Sequence, residues 1–107
     1  MKRTIVLILL LAAAVLLLAQ EKSLITVKES AVTTGVVIIT ASENGKALEL
    51  QCNQSMSACT LLKPGEYWMV RLPKNYGMYD CANVDLFPKD VDPATGERIG
   101  EYCLVRK

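Results

Sequence analysis

Residues 5–19 form an unbroken apolar run of 15 residues behind a short basic head, Met1-Lys2-Arg3. A helix crossing roughly 30 Å of hydrocarbon needs about 20 apolar residues. The run is short for that and suits the apolar region of an export signal. Charge returns at once with Glu21 and Lys22. Ala19 is the small residue a signal peptidase wants just before its cut, whereas Leu17, two places earlier, is too large. The segment therefore reads in two ways. Residues 1–20 are a signal peptide that is removed, or the same residues stay as an uncleaved anchor. In both cases Lys2 and Arg3 hold the N-terminus inside, and residues 21–107 are exported. The expected location is the periplasm or the medium, with the membrane touched only through an uncleaved N-terminal segment. No Cys precedes Cys52, so there is no lipid attachment to a processed N-terminal Cys.

The apolar head leaves 87 residues to fold. A domain of this size buries only about 60–65% of its unfolded surface. Covalent staples help such a domain most. Four Cys are present, Cys52, Cys59, Cys81 and Cys103, and an even count behind an export signal reads as two disulfides. Of three connectivities, Cys52–Cys59 and Cys81–Cys103 are favoured. Cys52 ends a strand whose continuation must turn back, and the other two lie in strands that can be neighbours. No Cys-x-x-Cys spacing suggests a redox pair or a zinc knuckle.

The 87 residues are rich in Val, Ile, Thr and Tyr, in short apolar runs bounded by Gly, Pro, Asn or Asp. Strands are expected over 23–28, 36–42, 46–52, 67–72, 79–87 and 99–106. The clearest signal is Glu43-Asn44-Gly45-Lys46, because both central residues of a type I′ turn tolerate positive φ. With Glu43 facing Lys46, Ala41 meets Leu48, Ile39 meets Leu50 and Val37 meets Cys52, all on one apolar face. A one-residue slip would destroy that face. Residues 31–35 read as a loop. Lys63-Pro64-Gly65-Glu66 reads as a type II turn. Trp68 alternates with Val70 and Leu72 and is expected in the core, and Ala82, Val84 and Leu86 are set against Asn83 and Asp85. The fold class is all-β: one domain over 21–107, a small antiparallel sandwich or partly open barrel of about six strands behind an N-terminal signal helix.

Chemistry is constrained by what is missing. The chain has no His, so neither a Ser-His-Asp nor a Cys-His arrangement can be built. Asp80, Asp85, Asp90, Asp92, Glu97 and Glu101 are the carboxylates closest in sequence. A carboxylate hydrolase needs two of them facing across a cleft, and no such pair is marked by the sequence. Asp90, Asp92 and Glu101 match positions 1, 3 and 12 of an EF-hand loop, but Ala94 and Thr95 break the pattern at positions 5 and 6. No metal, cofactor or catalytic residue is expected. Residues 21–107 carry 10 Lys and Arg against 11 Asp and Glu, interspersed along the chain. Nucleic-acid binding needs a positive footprint, and none is visible. Tyr76, Met78 and Tyr79 stand together on one turn and form the candidate contact surface. Asn53-Gln54-Ser55 fits a glycosylation sequon.

Leu62-Lys63-Pro64-Gly65-Glu66-Tyr67 resembles the turn entering a strand in carboxypeptidase regulatory-like and transthyretin-like β-sandwich domains. The whole chain resembles short exported bacterial proteins with a basic-apolar head and a four-Cys β domain. The likeness implies a compartment and a β fold. The expected function is that of an exported, non-catalytic β domain binding another envelope or secreted protein or a glycan, as an inhibitor or accessory subunit of an envelope enzyme. A structural or tethered envelope protein is the alternative, and a small carboxylate-dependent hydrolase the third.

Overall fold

The computed structural model describes residues 21–74 and 76–106; the signal segment 1–20 lies outside them. Six strands follow in order: β1 Lys22–Thr33, β2 Val36–Glu43, β3 Lys46–Asn53, β4 Gly65–Arg71, β5 Ala82–Pro88 and β6 Gly100–Arg106. All pairings are antiparallel, and they close a barrel in the order β1-β2-β3-β6-β5-β4. Of the two architectures expected, the chain takes the barrel and shuts it. Closure leaves no lateral edge for another chain to pair with.

β1 makes closure possible. Its first half pairs with β4, from Lys22 opposite Val70 to Val27 opposite Gly65. Its second half pairs with β2, and the register shifts between Val27 and Glu29. The extra residue, Lys28, bends and twists the strand, as a bulge does, so that one strand can serve two sides of a tightly curved sheet. β1 then runs on to Thr33, so residues 31–33 are strand and not loop. Thr34 and Gly35 turn the chain into β2 with φ of 52° and 80°. A β-branched residue seldom adopts positive φ, which is why Thr34-Gly35 does not announce a hairpin as Asn44-Gly45 does. The second hairpin has the expected register throughout, with Ala41 opposite Leu48, Ile39 opposite Leu50 and Val37 opposite Cys52.

The barrel is filled by side chains. Ile25, Ile39, Leu50, Met69, Val84, Leu86 and Tyr102 are fully buried within it. The Tyr102 hydroxyl donates to the Thr60 carbonyl at 2.8 Å, and burial pushes its pKa up to about 12. Residues 53–64 close one end. Leu62 is buried there, the Ser30 hydroxyl bonds both the Leu62 carbonyl and its N–H, and the Glu101 N–H donates to the Ala58 carbonyl. The Cys52–Cys59 disulfide fastens this plug to β3.

β4 corrects two expectations. Gly65 has φ of 148°, far from the value near 80° that a type II turn needs, and it already pairs with Val27 as the first residue of the strand. The interior face of β4 carries Tyr67 and Met69, not Trp68. Trp68 is half-buried on the outer wall, its indole N–H donating to the Lys89 carbonyl, with the Lys22 ammonium 4.4 Å from the ring centroid. Lys89, just past β5, lies against this wall, and Val70 and Phe87 are buried on it, so β4 and β5 carry apolar residues on both faces and alternation alone does not say which face is inside. β5 begins at Ala82, so residues 79–81 precede the strand. Ala82 is exposed, whereas Asn83 is buried.

Candidate functional site: a strap fastened to the barrel wall

Residues 72–74 leave the end of β4, and residues 76–81 lie against β6 and lead into β5. The expected contact residues Tyr76, Met78 and Tyr79 all lie on this strap. Pro73 starts it, and the Tyr76 N–H donates to the Pro73 carbonyl. Gly77 has φ of 99°, and a Cβ there would overlap the side chains of Asn83 and Glu101. Glycine is therefore required twice over, for its backbone conformation and for the close approach to the wall.

Two buried polar groups hold the strap down. The Asn83 amide nitrogen donates to the carbonyls of Tyr79 and Cys81 at 2.7 and 2.9 Å, while its oxygen accepts from the Tyr79 N–H at 3.0 Å. One Glu101 oxygen accepts from the Met78 N–H at 2.6 Å. The other accepts from Arg98, which also donates to Asp85. These hydrogen bonds, first to Asp85 and then to Glu101, raise the Arg98 pKa and keep it charged. A buried carboxylate is tolerable only when paired and hydrogen-bonded in this way. Cys81 is joined to Cys103 of β6, so the strap is also covalently closed. At its upper turn the Tyr79 hydroxyl accepts the Asn53 N–H at 3.2 Å, and the Tyr79 ring packs against the core.

The three candidate residues thus separate. Tyr79 is part of the fastening. Tyr76 is 67% exposed and Met78 40% exposed, beside an open cleft whose walls include Leu72, Lys74 and Ala82. Asn83 and Glu101, the residues that position the strap, are absent from the expected site. Their strand alternation marks them as solvent-facing, and only the strap, folding over from the other side of β5, buries them.

Of the carboxylates 80–101, Asp85 and Glu101 stand directly opposite each other on β5 and β6, on the strap side of the wall. Asp85 and Glu101 are bridged by Arg98, and Asp92 accepts the Ala94 N–H in its own turn. Among the described residues no group of three or more His, Cys, Asp or Glu could hold a metal ion. Comparison of the chain with protein-family models, curated proteins and solved structures gives no match.

Proposed function

We propose that this protein is an exported, non-catalytic β domain that binds another envelope or secreted protein, as an inhibitor or accessory subunit, through the strap. The observation that carries this reading is Tyr76, an aromatic ring 67% exposed on a loop fastened at Met78, Tyr79 and Cys81. An exposed aromatic on a free loop loses conformational entropy when it binds. On a loop held by a disulfide, a buried amide and a buried carboxylate, that cost is met in folding, and contact area becomes affinity. Met78 beside it adds a soft, adaptable neighbour. Tyr is also among the residue types enriched at binding hot spots. The two disulfides agree with an oxidising, exported environment.

The test is a photo-crosslinking residue at position 76 of the full chain in the exporting cell, with one at exposed Ala47 as control. The expected result is a discrete adduct at 76 alone, competed by excess wild-type protein and not by Tyr76→Ala. That variant should melt within about 1 °C of wild type, because an exposed side chain contributes little to stability. Equal adducts at 76 and 47, or competition by Tyr76→Ala, would remove the reading.

A further inference from the structure

The two disulfides differ in their surroundings and in what they close. Cys52 is 2% exposed and belongs to the core, and Cys59, half-buried, packs against it. Cys81 is exposed and Cys103 half-buried. Both line an open hollow of about 440 Å³ between the strap, the Thr34-Gly35 turn and the end of β3. Cys52 borders the same hollow with almost no accessible surface. A thiolate thus finds Cys81 in the open, while neither half of the other pair is exposed. Among the described residues that line the hollow, Asp80 alone is charged. Cys52–Cys59 fastens the plug to β3, whereas Cys81–Cys103 closes only the strap onto β6.

Exposed disulfides are the ones open to exchange, because the attacking thiolate must reach a sulfur. We propose that Cys81–Cys103 is a thiol–disulfide exchange site for an exported dithiol, and that its reduction loosens the strap while the barrel stays closed. The dithiol's thiolate attacks the Cys81 sulfur, the bond to the Cys103 sulfur breaks, and Cys103 leaves as a thiolate that takes up a proton. The second thiol of the reagent, as its thiolate, then attacks the mixed disulfide. Cys81 leaves and is protonated, and the reagent closes its own disulfide. Two electrons pass from the dithiol to the protein. Asp80 repels an approaching anion, so the favoured reagent carries no negative charge beyond its thiolate. Residues 76–81 are then held by the hydrogen bonds of Asn83 and Glu101 alone. The barrel interior and Cys52–Cys59 are untouched. The inference does not depend on what Tyr76 contacts.

The experiment treats the full oxidised chain, in a neutral detergent and without denaturant, with dithiothreitol. Samples are quenched at intervals with an alkylating reagent, and mass spectrometry reads each cysteine. Cys81 and Cys103 should be labelled at least about tenfold faster than Cys52 and Cys59, since a covered pair must wait for local opening. Once the first pair is open, circular dichroism should keep the β signal of the oxidised chain, and amide exchange at Met78 and Tyr79 should quicken. Two monothiols then test the charge preference: cysteamine, a cation, and 2-mercaptoethanesulfonate, an anion. At low salt the ratio of their rates should fall at least about threefold in Asp80→Asn, the size of effect that a unit charge exerts over a few ångströms of water. Equal labelling of the two pairs would overturn the proposal, because a route through global unfolding exposes both together. Loss of the β signal with the first pair would overturn it as well. An unchanged ratio in Asp80→Asn would overturn the charge preference.

Discussion

Inside the barrel, Ile25, Ile39, Leu50, Met69 and Leu86 have no accessible surface and pack on residues of their own kind. On the wall, residues 72–81 are held by one disulfide, one amide and one carboxylate. The interior is non-directional: many contacts, each worth little, share the load. The strap is directional: few contacts, each dependent on geometry and on its partner staying buried. A loss in the interior should therefore be felt by the whole domain, whereas a loss in the strap should be felt first by the strap. This division suits a binding surface, whose conformation must be fixed without being part of the core.

The largest expected effect is at the centre of the interior. Ile39→Ala removes buried methyl and methylene groups and leaves a cavity, costing about 2–5 kcal/mol. For a domain of this size that is a fall of at least about 10 °C in Tm, read by calorimetry. A fall under about 5 °C would mean that the interior relaxes around the gap, and the contrast with the strap would weaken. Next comes the fastening. By chain entropy a 22-residue loop closed by Cys81–Cys103 contributes about 3.4 kcal/mol and the seven-residue loop of Cys52–Cys59 about 2.4. Cys81→Ser with Cys103→Ser should lower the Tm. It should also speed amide exchange at Met78 and Tyr79 more than at Ile39 or Leu50. Uniform acceleration across all four amides would show that strap and barrel open as one unit.

The smallest effect is a pH dependence that belongs to the interior alone. Tyr102 has its pKa raised to about 12 because burial disfavours the phenolate. The folded protein keeps the proton that the unfolded chain loses near pH 10. The associated stability is complete below pH 10 and is lost as pH rises from 10 towards 12, by up to about 2.7 kcal/mol. Urea unfolding at pH 9 and pH 11.5 should show this slope, and Tyr102→Phe should flatten it. An unchanged slope in the variant would assign the loss to other groups.

The outline of the barrel could be read from the sequence where the signal was local. The hairpin around Asn44-Gly45 has the expected register because turn type and apolar alternation agree over adjacent residues. The disulfides Cys52–Cys59 and Cys81–Cys103 have the expected partners, each joining segments that the strand order makes neighbours. Tyr76 was singled out by residue type and lies exposed. Thr34-Gly35 was not read as a turn, because its first residue disfavours the conformation it adopts. Trp68 was placed on the wrong face, because its partners on the outer wall, Lys89 and Lys22, are distant in sequence.

By itself, then, the sequence determined strand content, the second hairpin's register and the need for staples. Those follow from side-chain period, turn chemistry and the small size of the folding unit. The tertiary structure decided which polar residues are buried. Asn83 is held by Tyr79 and Cys81, four and two residues before it, whereas Glu101 is covered by Met78, 23 residues away. The burial of Glu101 has no local cause, so it leaves no local trace.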